Sequence, residues 1–127
     1  MFSKGKIKNI EIKNRIVRSA TNEHLGNIDG IITDDYIDVY SNLAKNDVGS
    51  IITSHMAVDE KQRVDETQIC IQKFDNKKLL TDLIGKVHKY GSKIIVQVSQ
   101  GGKFSSNVEG QVALTPTETE TSKCMNL

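Results

Sequence analysis

The sequence has almost no excess charge, and this absence limits the partners that can be expected. Its 17 Lys and Arg residues nearly balance 16 Asp and Glu residues, and the formal net charge is +1. No basic tail or stripe is present, so the composition gives no argument for a nucleic-acid partner. No apolar run approaches the ~20 residues that are needed to span a bilayer. Residues 1–15 also lack the apolar middle of a signal peptide, so nothing points away from the cytoplasm.

Several motifs that would carry chemistry are absent as well. The two cysteines, Cys70 and Cys124, form no CxxC pair, and both are expected to be free thiols. The phosphate-loop pattern GxxxxGK(S/T) does not occur, and no GxGxxG follows a strand, so a dinucleotide-binding Rossmann site has no support. The three histidines, His24, His55 and His88, show no metal-ligand spacing, so no metal site is predicted.

What the sequence does contain is an alternation of strand and helix patterns. Lys6–Ile12 alternates isoleucine with polar residues around a central turn, which predicts a two-stranded hairpin with one exposed face. Three further segments are short apolar runs typical of strands: Arg15–Thr21, Gly49–Ser54 and Lys93–Ser99. The sequence therefore predicts a hairpin followed by three strands.

Two amphipathic helices are predicted between these three strands. Thr33 is expected to cap the first helix, and Asp75 or Asn76 the second, which Tyr90-Gly91 should terminate. The order β, α, β, α, β, with a short turn from each helix to the next strand, is the pattern of a parallel sheet built by right-handed crossovers. A barrel and a doubly wound sheet both have this pattern.

A glutamine, Gln97, interrupts the third apolar run near its end. The neighbouring residues Ile94, Ile95, Val96 and Val98 predict a strand that is buried on both faces. A buried amide is costly unless something hydrogen-bonds to it, so a partner is expected for Gln97. That partner is either another part of the protein or a ligand.

Polar or small residues lie at the ends of all three predicted strands. They occupy Ser19–Glu23, Thr53–Ala57 and Gln97–Lys103. Ligands of parallel α/β folds bind beyond the carboxyl ends of the strands, so these three segments predict a site. The alternative is that they are polar only because they meet water.

Residues 104–127 differ in composition from the rest of the chain. They contain little apolar periodicity, and the only proline, Pro116, lies in a Thr/Glu-rich stretch. We expect this segment to be a polar and mobile C-terminal extension.

Three ordered segments give the chain a family resemblance. KIKNIEIKNRIVRSATNE is followed by DGIITDDYIDVYSNLAKNDVGSIITSHMAV and then by DLIGKVHKYGSKIIVQVSQGGK. In this order, over roughly residues 2–103, they resemble the N-terminal part of the Old Yellow Enzyme family of FMN-dependent NAD(P)H:flavin oxidoreductases and ene-reductases. The resemblance implies that residues 1–103 are part of an α/β fold, a (β/α)8 TIM barrel, with the hairpin closing its bottom. Such a barrel needs about 250 residues, so the chain is expected to be a fragment that holds three of the eight strands.

The resemblance also implies a cofactor, FMN, over the carboxyl ends of the strands. Ser19, Ala20 and Thr21 would contact the flavin ring, largely through their backbone. His55, just past the second strand, would lie beside the ring. Gln97 matches a family glutamine whose amide bonds the pyrimidine edge of the flavin, so FMN becomes the expected partner of that amide.

Three positions depart from the family pattern. Asn22 stands where many members have Thr or Cys, and Gln100 and Lys103 replace the histidine and arginine of the common LxHxGR continuation. The family's substrate-binding and phosphate-binding residues belong to later strands. The catalytic residues therefore stay unknown at this stage.

Three functions remain open from the sequence. The first is the N-terminal part of an FMN-dependent oxidoreductase that transfers hydride from NAD(P)H through flavin to an activated alkene or similar acceptor. Alone, this part is expected to be catalytically incomplete and to bind FMN weakly or not at all. The second is a non-catalytic α/β remnant or binding module that self-associates. The third is an independent doubly wound binding domain. Small molecules, rather than nucleic acid or membrane, are the expected ligands.

Overall fold

The computed structural model describes residues 1–107, which form two small sheets and two helices. In chain order, the helices and strands are β1 (Gly5–Ile7), β2 (Ile10–Ile12), β3 (Val17–Arg18), α1 (Asp34–Lys45), β4 (Ser50–Ala57), α2 (Phe74–Lys89) and β5 (Lys93–Ser99). Short 3-10 helices lie at Glu60–Gln62 and Gly102–Asn107. Most of the expected polar extension, from residue 108 onward, lies outside the described residues, and so do Pro116 and Cys124. Within residues 1–107, neither helix is long and apolar enough to cross a membrane.

The first sheet is the predicted hairpin. β1 and β2 pair antiparallel, with Gly5 opposite Ile12 and Ile7 opposite Ile10. Lys8 occupies the left-handed region of the turn at φ 50°. Ile12 is buried whereas Ile7 and Ile10 are exposed, which confirms a hairpin with an exposed face.

The second sheet is parallel and has the strand order β3-β4-β5. This is the order along the chain, as in a barrel that winds one way. The sheet remains open within residues 1–107. β3 is shorter than predicted and ends at Arg18, whereas β4 is longer and continues to Ala57.

The two helices cover one face of this sheet, and the core lies between them and the strands. Tyr36 and Tyr40 of α1 and Leu83 and Val87 of α2 are fully buried and belong to one cluster with Ile51 of β4. The rings of Tyr36 and Tyr40 are 4.7 Å apart. Burial of large apolar side chains on this single face is the main contribution that holds the helices to the sheet.

The opposite face of the sheet is open, and this corrects one expectation. β5 was predicted to be buried on both faces, but Ile95, on the face away from the helices, is 51% exposed, and Val98, on the helix side near the end of the strand, is 52% exposed. The prediction was wrong because β5 pairs only with β4 in the described chain and has helices on one side. Val17 of β3 is also exposed on this sheet.

The helix ends agree with the sequence in part. The Thr33 hydroxyl accepts a hydrogen bond from Tyr36 N at 3.3 Å, and Gly91 follows α2 at φ 73°, as predicted. The expected cap of α2 by Asp75 or Asn76 is wrong, because α2 begins after Lys73 without a side-chain cap.

The buried Asn76 amide instead joins the segments around it. It accepts from Ile32 N at 2.8 Å and donates to Gly30 O at 2.8 Å and Cys70 O at 2.7 Å. These long-range bonds satisfy the amide fully, which explains why Asn76 is not available as a cap.

Lys13, just after the hairpin, binds the carboxyl ends of both helices. Its ammonium donates to Ala44 O at 3.2 Å, Tyr90 O at 2.9 Å and the exposed Asp47 carboxylate at 3.2 Å. A cation is favourable there because the last carbonyls of a helix carry partial negative charge. Lys13 therefore fastens both helices at the end of the fold where the strands begin.

Asn14, next to Lys13, bonds to backbone groups at the same end of the fold. Its amide donates to Asp47 O at 2.7 Å and accepts from Ile16 N at 3.0 Å. The adjoining position must be glycine, since a Cβ on Gly49 would lie 2.4 Å from Asn14 Oδ1. The candidate site lies at the opposite end of the sheet, where the strands end.

Candidate functional site

A bulge in β4 decides which side chains share a face at the carboxyl end of the sheet. Ile52 pairs with Ile95, but His55 pairs with Gln97, so β4 has one residue more than β5 between these two pairs. In continuous register, His55 would pair with Val98 and lie on the opposite face. The bulge therefore brings His55 and Gln97 to the same face.

Side chains satisfy the backbone groups that the bulge frees. Thr53 Oγ1 accepts from Gln97 N at 3.1 Å, and Ser54 N donates to the Tyr40 hydroxyl at 2.7 Å. The Tyr36 hydroxyl lies 3.0 Å from Ser54 Oγ. Burial raises the pKa of Tyr36 far above its ordinary value, so this hydroxyl stays protonated.

His55 lies within β4 rather than just past it, as the sequence analysis expected, and it belongs to a polar cluster. Its Nδ1 is 2.8 Å from Gln68 Nε2 and 3.0 Å from Ser99 Oγ. Gln68 is only 2% exposed, and its Oε1 accepts from Val64 N at 2.8 Å. Sequence reasoning did not select Gln68, and it included Ser99 only as part of the predicted site segment Gln97–Lys103.

Gln68 reaches His55 because the chain after it runs along the end of β4. Ala57 N donates to Ile69 O at 2.8 Å, and Ile71 N donates to Ala57 O at 2.9 Å. The only sequence signal for this arrangement is a lone amide directly before the apolar triplet Ile69–Ile71. That signal does not reveal which strand the segment joins.

Gln97 is exposed, so the expectation of a buried amide at this position was wrong. Its backbone N–H is bonded to Thr53, but its side-chain amide makes no hydrogen bond with any residue between 1 and 107. The amide is therefore free to bind a ligand on the open face of the sheet. A neighbouring glutamine, Gln68, is buried instead.

The segment Ser19–Thr21 follows β3 and is exposed along its length. The Thr21 hydroxyl lies 3.4 Å from Ser19 O, at the long end of hydrogen-bond distances. Arg18, just before this segment, and Glu23, just after it, form an ion pair at 3.0 Å. The backbone of Ser19–Thr21 is thus presented at the end of β3, the strand that adjoins β4.

Asn22, which departs from the family pattern, is held by Asp65. Asn22 Nδ2 donates to Asp65 Oδ2 at 3.2 Å, and the other carboxylate oxygen accepts from Thr67 N at 2.8 Å and Thr67 Oγ1 at 2.6 Å. Burial by itself would raise the pKa of Asp65, but the bonds from Thr67 and Asn22, with His24 nearby, outweigh it and lower the pKa. This network fixes the loop after β3.

Gln100, another departure from the family pattern, forms hydrogen bonds within the protein. Its amide donates to Gln62 Oε1 at 3.1 Å, and Ser105 Oγ donates to the same oxygen at 3.1 Å. Gly101 N also bonds Gln62 O at 3.2 Å. These contacts hold the segment after β5 against the loop that follows β4.

The predicted site residues therefore lie at the ends of three adjacent strands. His55 and Gln97 are direct neighbours, and Ser19–Thr21 follow the strand on the other side of β4. A surface cavity of about 570 Å³ lies elsewhere, on α2 between Phe74 and Asp82. Within residues 1–107, no group of three His, Cys, Asp or Glu side chains is arranged to hold a metal ion.

Comparison with known proteins gives consistent matches in sequence and in fold. The NADH:flavin oxidoreductase / NADH oxidase family model matches residues 1–125. The chain is 35% identical over 106 residues to an NADH oxidase of Thermoanaerobacter brockii, a match that covers 81% of this chain and 16% of that protein. It is 32% identical over 104 residues to an NADPH dehydrogenase of Listeria monocytogenes serovar 1/2a, covering 81% of this chain and 31% of that protein.

The fold matches the crystal structure of Old Yellow Enzyme from Pichia sp. AKU4542, with a TM-score of 0.76 and 27% identity. That match covers 81% of this chain and 27% of the solved chain. The chain thus spans less than a third of the length of each of these proteins.

Proposed function

The chain belongs to the NADH:flavin oxidoreductase / NADH oxidase family, and from this premise we propose that it supplies the first part of an FMN site. In this proposal, residues 1–103 are the N-terminal part of a (β/α)8 barrel, and residues 104–127 are a polar extension. The whole protein transfers hydride from NAD(P)H through flavin to an activated alkene or a similar acceptor. Its proposed location is the cytoplasm.

One observation carries the cofactor proposal: the open sheet face has a polar side chain, Gln97, that makes no hydrogen bond within residues 1–107. The Gln97 amide is exposed and unbonded within residues 1–107, next to His55. An amide can donate to one atom and accept from another, which suits the alternating donors and acceptors on the pyrimidine edge of a flavin.

Each proposed contact has a distinct task. Gln97 orients the ring and stabilises negative charge on it, because a preorganised donor acts strongly where charge develops. Ser19, Ala20 and Thr21 contact the ring through their exposed backbone, and His55 lies beside it. When bound, FMN supplies the site that accepts and passes on hydride.

Binding by the isolated chain should be weak. The residues proposed here contact only the ring, and the family's phosphate-binding residues belong to later strands. A partial site loses a large share of its affinity because the cost of ordering the ligand is unchanged.

The proposal is tested with a chimera in which residues 1–103 replace the matching segment of the Listeria NADPH dehydrogenase. We expect a folded yellow protein with bound FMN. Gln97→Ala should weaken binding of oxidised FMN about twofold to tenfold, since a hydrogen bond between neutral groups contributes ~0.5–1.5 kcal/mol. Gln72→Ala, which removes an exposed amide before α2, is the matched control and should change binding less than about twofold.

Two results would count against the proposal. A chimera that folds but does not retain FMN would show that these strand ends do not form a flavin site. Unchanged affinity and unchanged flavin potential in Gln97→Ala would remove Gln97 from that site.

A non-catalytic, self-associating module is the second candidate. It is favoured by the edge of β5, which is unpaired within residues 1–107, and by the exposed Ile95 and Val98, because an unpaired strand edge is a template for pairing with another chain. In this alternative, the second copy covers the edge that later strands cover in a complete barrel.

A further inference from the structure

We propose that Gln68 is a positioning residue that fixes the tautomer of His55, so that the neutral ring carries its proton on Nε2. The effect is to present an N–H donor on the sheet face that His55 shares with Gln97. The position of the proton follows from the cluster itself. Only the use of the donor, described below, rests on the proposed function.

The orientation of the Gln68 amide is set by two backbone groups. Val64 N–H can only donate, and the amide atom 2.8 Å from it must therefore be the oxygen, Oε1. The other amide atom lies 3.3 Å from His55 O, which can only accept. Both contacts identify that second atom as the nitrogen, so the amide turns its donor towards His55.

This orientation determines the tautomer of His55. Gln68 Nε2 lies 2.8 Å from His55 Nδ1. A proton on Nδ1 would place two N–H donors against each other at this distance, which is unfavourable. Nδ1 therefore accepts with its lone pair, and the single proton of the neutral ring lies on Nε2.

Ser99 and the burial of Gln68 further restrict the orientation of the Gln68 amide. The Ser99 hydroxyl lies 3.0 Å from His55 Nδ1 and 3.3 Å from Gln68 Nε2, and its oxygen shares the second amide hydrogen with His55 O. Gln68 is 2% exposed, so water does not compete for its donors. A buried amide with both ends bonded holds one orientation.

The group left for a ligand is the N–H on Nε2 of His55. No hydrogen bond to this nitrogen occurs within residues 1–107. If a flavin binds this face, as proposed above, the fixed donor favours the reduced, more negative ring over the oxidised one. Gln68 would then raise the flavin potential without touching the cofactor.

The test uses the full 127-residue chain, labelled with ¹⁵N, at about pH 9, well above the reference histidine pKa of ~6.5. Long-range ¹H–¹⁵N spectra distinguish a ring nitrogen with a proton from one with a lone pair. We expect His55 to show a lone-pair Nδ1 and a protonated Nε2, with no averaging between tautomers. Its signals are assigned from their loss in His55→Asn, and the exposed His88 serves as an internal reference.

Two variants separate positioning from packing. Gln68→Glu keeps the size and the bond from Val64 N but turns an acceptor towards His55, so the proton should move to Nδ1. Gln68→Met fills the space without a donor, so the signals should shift towards the tautomer average of an unconstrained imidazole. The signals of His88 should stay unchanged in both.

The inference is overturned if His55 in the unchanged chain shows a protonated Nδ1 or a tautomer average. It is equally overturned if Gln68→Glu folds and leaves the tautomer as it was. If a variant fails to fold, the spectrum of the unchanged chain still decides. The chimera test is independent, since loss of FMN binding refutes the proposed function and leaves the tautomer result standing.

Discussion

Replacing Lys13 by methionine should lower the stability of this fold considerably. The side chain is 20% exposed, and its ammonium joins the last carbonyls of two helices, Ala44 O of α1 and Tyr90 O just after α2. Methionine has a similar unbranched stem and retains the packing of the aliphatic part. It removes the charge and all three hydrogen bonds.

The expected magnitude follows from the partners of the ammonium. Hydrogen bonds that involve a charged group contribute ~1.5–3 kcal/mol each, and a cation at a helix carboxyl end contributes ~0.3–1 kcal/mol. Water partly replaces these bonds when the lysine is removed, so we expect a loss of about 2 kcal/mol in total. The third contact, to Asp47, adds little because that side chain is 81% exposed.

Urea unfolding measures this loss. With a slope of ~1–3 kcal/mol per molar urea, the midpoint should fall by about 1 M. Asp47→Asn is the control, since it removes the exposed ion pair but tolerates the left-handed backbone of Asp47, and it should change stability by less than ~0.5 kcal/mol. If Lys13→Met lowers the free energy of unfolding no more than Asp47→Asn does, the ammonium does not hold the helices in place.

Gly49→Ala should destabilise the chain by ~1–3 kcal/mol, because the added methyl group would collide with Asn14. The control is Gly85→Ala, in the open interior of α2, which should be neutral or stabilising. Equal urea midpoints for the two variants would contradict this prediction. The depressed pKa of Asp65 supplies stability above about pH 3.8 that is lost as the pH falls through the lower pKa of the folded state. Asp65→Asn should therefore flatten the acid limb of a plot of urea midpoint against pH, and parallel curves would refute the linkage. The open edge of β5 predicts concentration-dependent sedimentation that Val98→Lys reduces, and a compact monomer at high concentration would argue against it.

The features that were predictable from sequence are those set by local residues and simple periodicity. Thr33 caps α1 and Gly91 ends α2 because each signal acts within its own turn of chain. The alternation of strands and helices also predicted the parallel sheet. Family resemblance, rather than pattern, selected a barrel over a doubly wound sheet.

The features that were missed depend on distant partners. Asn76 resembles a helix cap, but its amide is bonded to loops that are close only in the folded chain. Gln97 was expected to be buried because its neighbours are apolar, yet β5 is an edge strand in the described chain. The role of Gln68 depends on a segment that joins the end of β4, and no local signal reports that pairing.

The bulge in β4 also determines where this strand can change length. Deleting Thr53 or Ser54 would leave a regular strand in which Ile52 still pairs with Ile95 and His55 with Gln97. Deleting a residue elsewhere in β4 would displace the pairs on one side of the gap. A one-residue deletion in β4 should therefore be tolerated best at this place. Such a deletion would lose the bond from Gln97 N to Thr53 Oγ1 or the bond from Ser54 N to the Tyr40 hydroxyl.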